Sequence, residues 1–318
     1  MKFNKISSIL TLLLLVFSLL SNSCKKHPEP NITDEFFLKY LIIAGVDTNG
    51  DGRISPSEAE AVDSLSLIKN GISDLTGIEM FVNLKVFDCS LNYISELYLT
   101  SNTALTSLTC ENSHIKVLDV SNNPSLTYLN CHNNELKHLD VTNNPLLVDL
   151  KCGRNMIGEL DLSNNADLRN LYCFSNWLHE IDVSHNTELR TFIFSRNGIT
   201  ELDVTKNIYL TELECYDNNI FQLDISNNPL LERLDCGDTQ LEALDVSVNT
   251  KLTWLSCPEN YLNSLDISSN PLITSLYIHD MPTLEEVCVW EIPFPPIGVL
   301  VEAGGSPNVY YTTYCSSN

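Results

Sequence analysis

A cysteine recurs every 21 residues through the middle of the chain, and this constant period constrains the fold more than any other feature. The members of this cysteine ladder are Cys89, Cys110, Cys131, Cys152, Cys173, Cys215, Cys236 and Cys257. Phe194 stands at the one place within the series where the count would put a further cysteine. Such a period indicates one short unit repeated along the chain, and each unit buries its apolar face only when neighbours stack on both sides. The sequence therefore predicts a repeat solenoid.

The same apolar frame surrounds each rung, by which we mean the ladder position of a repeat. Around Cys131, leucines lie five and two residues before the rung (Leu126, Leu129) and five and eight residues after it (Leu136, Leu139). The alternation in Leu-x-Cys predicts a short strand with the leucine and cysteine side chains inward. An asparagine follows most rungs by three residues; its amide can bond to backbone groups at the turn, and Asn tolerates left-handed torsions. These asparagines are Asn92, Asn134, Asn155, Asn176, Asn197, Asn218 and Asn260.

The frame LxxLxCxxNxLxxLDVSxN resembles a leucine-rich repeat, in the short cysteine-bearing form typical of Bacteroidetes-type surface proteins. Residues 70–84, NGISDLTGIEMFVNL, are similar to the opening repeat of internalin-type domains. The resemblance implies a right-handed coil of short parallel strands over residues 67–285, built from repeats of 21–22 residues. It also implies a binding role and not a reaction.

The segment that returns behind each strand carries an aspartate and an asparagine at fixed places. Twenty-one residues leave no room for a full helix there, so we expect the reverse side to be mostly extended, in a mainly β fold. Both side chains should bond to backbone groups between turns. The alternative is a calcium ladder of the RTX kind, but those repeats need glycine-rich turns. The residues are Asp119, Asp140, Asp161, Asp182, Asp203, Asp224, Asp245 and Asp266, and Asn102, Asn123, Asn144, Asn165, Asn186, Asn207, Asn228, Asn249 and Asn270.

The cysteine ladder admits three interpretations. Neighbouring thiols in stacked strands come within disulfide reach, but parallel side chains point the same way and make a poor bridge. Metal binding would lack a CxxC-type clip. Plain core packing is favoured, since free cysteine is among the most buried side chains. Cys288 and Cys315 lie outside the ladder, in a degenerate end over residues 286–318 that reads as a C-terminal cap, and in an oxidising compartment we expect these two to pair.

The outward positions of the strands carry what specificity the sequence shows. We predict an aromatic band with an acidic rim on the strand face, a combination that suits a protein or glycan partner. The alternative is that strands favour aromatic residues without any ligand, in which case the molecule is a structural envelope component. The aromatic residues are Tyr128, Tyr172, Phe174, Tyr216 and Trp254, together with Ile193, and the rim is Glu212, Glu214 and Asp235.

The first 33 residues predict export and a lipid anchor. Two lysines precede an apolar run over residues 9–20, about half the ~20 residues that a spanning helix needs, so residues 1–23 read as a signal peptide. Cys24 resembles a lipoprotein acceptor cysteine, although Ser21 stands where the usual motif has leucine; ordinary secretion is the alternative. Residues 24–33 form a short tether. We expect attachment to the outer membrane through lipid only, on the cell surface or on the periplasmic side.

Residues 34–66 predict an EF-hand-like helical cap ahead of the repeats. An apolar stripe over residues 34–45 predicts a first helix, and a second is expected over residues 57–68. Between them, every diagnostic position of an EF-hand calcium loop is matched, with Gly52 at the sharp turn and Ile54 toward the apolar side. The alternative is an acidic turn that happens to fit. The expected Ca²⁺ ligands are Asp47, Asn49, Asp51, Arg53 (through its carbonyl), Ser55 and Glu58.

The charge excludes some partners. The formal net charge is −23, and it becomes −25 when Lys2 and Lys5 leave with the signal peptide. Such a surface repels nucleic acid and anionic lipid faces. The sequence contains no GxSxG, no phosphate-binding glycine loop and no HExxH, so we expect no enzyme activity.

Overall fold

The computed structural model describes residues 31–315. The predicted signal peptide and Cys24 therefore lie outside the described residues. Within the described range the helical elements are α1 (Glu35–Ile43), α2 (Pro56–Glu60) and a 3-10 turn at Ile78–Met80. None of these described helices has the length and apolar character needed to cross a membrane.

A twelve-stranded parallel sheet runs the length of the coil. Each strand pairs in register with its counterpart in the next turn, as Leu150 with Leu171. The repeat solenoid of short parallel strands is thus confirmed. The strands, in spatial order, are β1 (Ser64–Ser66), β2 (Val86–Asp88), β4 (Ser107–Thr109), β6 (Tyr128–Asn130), β7 (Asp149–Lys151), β8 (Asn170–Tyr172), β9 (Thr191–Ile193), β10 (Glu212–Glu214), β11 (Arg233–Asp235), β12 (Trp254–Ser256), β14 (Ser275–Tyr277) and β16 (Leu300–Glu302).

The reverse side carries strands only at its two ends within the described residues. At the N-terminal end β3 (Glu96–Tyr98) pairs with β5 (Val117–Asp119), and at the C-terminal end β13 (Ser264–Asp266), β15 (Glu286–Cys288) and β17 (Tyr310–Thr312) pair in that order. In the repeats between them the returning chain has no strand and no helix, and passes through a turn in each repeat. Within the described residues, the twelve-stranded sheet is therefore the one sheet that continues along the length of the coil.

The core consists of the repeated leucines and the cysteine ladder. Leu150, Cys152 and Ile157 are all 0% exposed, as are their counterparts in most repeats. Full burial of a leucine-sized side chain contributes about 1.5–3 kcal/mol. All eight ladder cysteines are free and buried, and burial raises the pKa of the Cys152 thiol to about 12. They are packing residues, as predicted, because they are buried in the core and form no disulfide.

The asparagines that follow the rungs join neighbouring turns with both ends of their amides. Asn155 Nδ2 donates to the carbonyls of Cys131 (3.1 Å) and Cys152 (3.0 Å), and its Oδ1 accepts from the backbone N–H of Leu136 at 3.0 Å. The left-handed torsion falls on the residue before the asparagine and not on the asparagine itself, as at Arg154 with φ 53°. The equivalent position is left-handed along the coil: Lys69, Leu91, Asn112, Asn133, Arg154, Ser175, Arg196, Asp217, Asp238, Glu259 and Asp280.

A second asparagine ladder lies on the reverse side, and it bonds between turns as expected. Asn165 Nδ2 donates to the carbonyls of Val141 (3.0 Å) and Asn144 (2.8 Å), whereas its buried Oδ1 has no partner. The aspartates of the same segment behave differently from our expectation. Asp161 Oδ1 accepts from the backbone N–H of Ser163, within its own turn, at 2.9 Å. The aspartates therefore shape each turn, and the asparagines alone link one turn to the next.

The second helix is shorter than the sequence predicts. It ends at Glu60, and β1 begins at Ser64, so the coil starts inside the segment assigned to the helical cap. The reason is that Leu65 and Leu67 are buried as a first rung, with Leu65 paired to Phe87. Continuing the helix would forfeit this pairing and burial. The predicted C-terminal cap likewise contains β15, β16 and β17, which extend both faces of the coil.

Candidate binding surface and calcium loop

The residues predicted to bind a ligand all lie on the outward side of the twelve-stranded sheet, which we call the strand face. The strand face comprises the side chains one and three residues before each rung and one residue after it. All of the predicted residues are partly buried. They are Tyr128 on β6, Tyr172 on β8 with Phe174 just after it, Glu212 and Glu214 on β10 with Tyr216 just after them, Asp235 on β11 and Trp254 on β12.

The first group on the strand face is built around a lysine. Lys151 Nζ lies 5.6 Å from the ring centre of Tyr128 and 5.4 Å from that of Tyr172. Because β7 lies between β6 and β8, the cation is held between two rings that belong to different turns. Burial also raises the pKa of the Tyr172 hydroxyl. Tyr128 and Tyr172, on strands two turns apart, therefore contact the same cation.

Phe174 leans along the strand face toward the N-terminus. Its ring centre lies 5.3 Å from that of His132, two turns away. A Cβ at the intervening Gly153 would come within 2.9 Å of the Phe174 ring, so the absence of a side chain at Gly153 is what permits this contact. Burial lowers the pKa of His132, which favours its neutral form.

The second group combines carboxylates, a guanidinium and an indole. Arg233 Nε lies 3.0 Å from Glu212 and its Nη2 lies 3.7 Å from Glu214, while the guanidinium carbon lies 4.3 Å from the ring centre of Trp254. Burial raises the pKa of Glu214, and the nearby charges of Glu212 and Asp235 add to the rise. Burial likewise raises the pKa of Asp235. In this second group, the three carboxylates carry more negative charge than the single guanidinium of Arg233 neutralises.

The structure corrects the picture of one exposed aromatic band. The rings are partly buried and fall into separate groups, and four of the predicted rings contact a cation. Besides Lys151 and Arg233, Arg196 lies 5.4 Å from the ring centre of Tyr216. The sequence places Lys151 and Arg233 at outward strand positions, but it did not predict that they contact the aromatic rings. The available signal was their position, because Lys151 and Arg233 occupy outward strand positions in turns next to an aromatic residue.

The predicted calcium loop wraps around its first carboxylate. Asp47 accepts from the backbone N–H groups of Gly50 (2.8 Å) and Gly52 (2.9 Å), and both glycines have positive φ. Asn49 Oδ1 accepts from the N–H of Asp51 at 2.8 Å, and Asp51 accepts from that of Arg53 at 2.9 Å. The loop is thus organised by the side chains at positions 1, 3 and 5, those with which such a loop binds its ion.

Glu58 closes the loop at its other end. Its Oε1 accepts from the backbone N–H of Thr48 at 2.8 Å, and its Oε2 accepts from the backbone N–H of Ser55 at 2.9 Å. These bonds, with that from Ser55 first, lower the pKa of Glu58 to about 2. The donor set is made entirely of oxygen and fits Ca²⁺ chemically. Among residues 31–315 the carboxylates of Asp47, Asp51 and Glu58 are not gathered within 4.8 Å of one another.

The C-terminal cysteines meet on the reverse side. Cys288 and Cys315 are joined by a disulfide, with their Cα atoms 5.4 Å apart. Asp266 lies beside them on the neighbouring strand, paired in register with Cys288. The bridge fastens the end of the described chain to β15.

Comparison with known proteins identifies the architecture. No protein-family model matches the chain, and no curated protein sequence matches it. Among solved structures, the chain is similar to the functional domain of InlJ from Listeria monocytogenes, described as including a cysteine ladder, at 28% identity and a TM-score of 0.57, over 82% of this chain and 74% of that one. The fold is a leucine-rich repeat solenoid. This solenoid is also similar to the internalin InlF of Listeria monocytogenes, at 17% identity and a TM-score of 0.66, over 93% of this chain and 100% of that one. YopM from Yersinia enterocolitica follows at 25% identity and a TM-score of 0.59, over 78% of this chain and 59% of that one.

Proposed function

We propose that this chain is a cell-envelope lipoprotein whose leucine-rich repeat solenoid binds a protein partner through the strand face. The observation that supports this role is the contrast between the two sides of each strand. Inward positions repeat leucine and cysteine, whereas outward positions differ from turn to turn and gather aromatic, arginine and carboxylate side chains. Aromatic residues and arginine are the side chains that most often dominate binding energy at protein interfaces.

The size of the strand face suits a protein. Twelve strands spaced at about 4.8 Å span roughly 50 Å, and the outward side chains of each turn cover about 13 Å along the strand. The product, about 700 Å², is close to the ~800 Å² that each partner contributes to a standard interface. The in-register pairing holds this area rigid, so little ordering is needed on binding.

Binding to an array of proteins and glycans tests the proposal. The soluble form, residues 25–318 with calcium, is compared with Tyr172→Ala/Tyr216→Ala and with Tyr209→Ala/Phe221→Ala, which removes two exposed aromatic rings outside the strand face. We expect protein hits that the first variant loses and the second keeps. Hits confined to glycans would favour the glycan-binding alternative. Hits that survive in both variants, or no hits at all, would move the role to another surface or to a structural one.

The lipid anchor rests on the resemblance of Cys24 to an acceptor cysteine. Replacing it, Cys24→Ser, should move the protein from the membrane fraction to the soluble fraction of the expressing cells. Protease treatment of intact cells then separates a surface location, where the chain is digested, from a periplasmic one, where it is protected. A parent protein found entirely in the soluble fraction would contradict the anchor and favour secretion.

The calcium loop completes the proposal as a structural site. Asp47, Asn49, Asp51, Ser55 and Glu58, with the carbonyl of Arg53, would hold the ion, which supplies charge neutralisation and cross-links the two helices. The support is the all-oxygen donor set and the turn built around Asp47. Calcium at extracellular millimolar levels would fill even a weak site. The helical unit packs on the opening repeat, residues 70–84, since Phe37 is fully buried and its ring centre lies 6.3 Å from that of Phe81.

Thermal unfolding with calcium and with chelator tests this site. Glu58→Ala alone is an ambiguous variant, because Glu58 also bonds to the loop backbone. Asp51→Ala is cleaner, since Asp51 is exposed and contacts only nearby loop backbone. We expect calcium to raise the melting temperature of the parent and to leave that of Asp51→Ala unchanged. An equal rise in both proteins would contradict the site.

A further inference from the structure

The C-terminal half of the strand face carries carboxylates that its own cations do not balance. Glu212 and Glu214 project from β10, and Arg233 and Asp235 project from β11 beside them. The register places Glu214 directly next to Asp235, so two like charges face each other across neighbouring strands at about 4.8 Å. Three carboxylates thus lie on these two strands beside a single guanidinium, that of Arg233.

Arg233 shows how this surface binds a cation. Its guanidinium lies over the Trp254 ring at 4.3 Å and forms ion pairs with Glu212 at 3.0 Å and Glu214 at 3.7 Å. Stacking combined with charged hydrogen bonds is the arrangement that arginine favours at interfaces. The ion pairs of Arg233 are both on its β10 side, whereas Asp235 accepts from the N–H of Gly237 at 3.3 Å and from the Ser256 hydroxyl.

A row of exposed acidic side chains extends this negative surface. It occupies the left-handed position two residues after each rung, in four consecutive turns: Asp217, Asp238, Glu259 and Asp280. Two basic side chains lie next to this row: Arg196 Nε is 3.8 Å from Asp217, and His279 Nδ1 is 2.9 Å from Asp280. The N-terminal half of the face differs, because there Lys151 lies over the rings of Tyr128 and Tyr172 and the left-handed position carries Arg154 in place of an acid.

We propose that the C-terminal half of the strand face binds a basic, extended segment of a protein partner, with an arginine or lysine of that segment seated against Glu214 and Asp235. This inference rests on the proposed protein-binding function and specifies the chemistry of the partner. The argument is charge complementarity across an open sheet face. An anionic partner would be repelled, and a neutral glycan would leave Asp235 without an ion pair and Glu214 with only its 3.7 Å pair to Arg233. Complementary charge would also speed association at low salt.

The probe that tests this inference is a fluorescein-labelled peptide, GRGRGRGR, whose binding is followed by fluorescence anisotropy at about 0.15 M salt. The variant is Glu214→Gln/Asp235→Asn, which spares the contact of Arg233 with Glu212 and Trp254. The matched control is Glu180→Gln/Glu201→Gln on the reverse side, where both residues are exposed and the change in net charge is the same. We expect binding to weaken at least tenfold in the variant and less than twofold in the control.

Each outcome decides the inference. Equal weakening in the two variants would mean that the peptide responds to net charge alone, and unchanged binding in both would mean that it binds elsewhere; either result overturns the inference. A thermal melt of the strand-face variant identifies loss of fold, and the single substitution Asp235→Asn then replaces the double one. The array experiment above tests the binding function separately from this inference. A protein partner that is lost in Tyr172→Ala/Tyr216→Ala but kept in Glu214→Gln/Asp235→Asn would support the binding function and refute the inference that the partner segment is basic.

Discussion

Replacing one asparagine from each ladder by alanine should reveal how the turns of the solenoid are held together. Asn155 and Asn165 are both buried, and their replacement removes the same atoms, so the cavity left behind is similar. The difference lies in what loses its partner. Asn155→Ala leaves the buried N–H of Leu136 without an acceptor, whereas the carbonyls that Asn165 binds still accept backbone N–H groups, as Val141 does from Asn144 at 3.0 Å.

The magnitudes follow from these contacts. Each variant loses amide bonds worth about 1 kcal/mol apiece, and an unsatisfied buried N–H adds about 1–3 kcal/mol. Asn165→Ala also removes an Oδ1 that has no partner. We therefore expect a loss of about 4 kcal/mol for Asn155→Ala and about 2 kcal/mol for Asn165→Ala.

Urea unfolding followed by circular dichroism measures this difference. The slopes with denaturant must agree between variants, because repeat arrays can unfold in parts and only matching slopes allow the free energies to be compared. The reasoning is refuted if Asn165→Ala costs as much as Asn155→Ala or more. In that event the two ladders would not differ through the hydrogen bond that Asn155 accepts from the N–H of Leu136.

Three further predictions concern the turns and the two ends of the coil. Ser175 has φ 54°, so Ser175→Gly should stabilise the protein by about 0.5 kcal/mol in urea unfolding, as the relief of a left-handed side chain exceeds the entropy cost of glycine, while Ser175→Ala should not. The pKa of Glu58 is lowered from 4.5 to about 2, so the stability that its carboxylate gives the folded protein is complete above pH 4.5 and is lost as the pH falls toward 2. In the absence of calcium, the melting temperature of the parent should therefore fall more between pH 6 and pH 3 than that of Glu58→Gln. The disulfide between Cys288 and Cys315 closes a separation of 27 residues, for which chain entropy predicts a stabilisation of about 3.5 kcal/mol. Cys315→Ser should therefore unfold at a lower urea concentration, and a reductant should destabilise the parent but not this variant. A variant as stable as the parent would show that the disulfide does not constrain the unfolded chain.

The binding residues show where sequence reasoning succeeds and where it ends. The outward placement of Tyr128 and Tyr172 follows from strand alternation, and the structure confirms it. The insertion of Lys151 between their rings depends on side-chain directions across three turns, which a repeat pattern does not encode. The lean of Phe174 over Gly153 toward His132 likewise depends on space that only the stacked turns create.

The second helix illustrates a competition that local sequence cannot resolve. Residues after Glu60 carry no strong helix breaker, so the local pattern allowed the helix to continue. The structure ends it because Leu65 and Leu67 gain a place in the core opposite Phe87. A contact between residues 22 positions apart outweighs helix propensity, which is a weak preference of a few tenths of a kcal/mol per residue.

The sequence by itself determined the architecture of this protein. A period of 21 places equivalent residues beside one another in successive turns, so the inward leucines, the cysteine ladder and both asparagine ladders could be assigned without coordinates. The tertiary structure alone decided how unlike residues meet across the turns: Lys151 between two tyrosines, and Arg233 among Glu212, Glu214 and Trp254. The physical reason is that the core repeats and has one solution, whereas the strand face does not repeat, and its contacts depend on the directions of individual side chains.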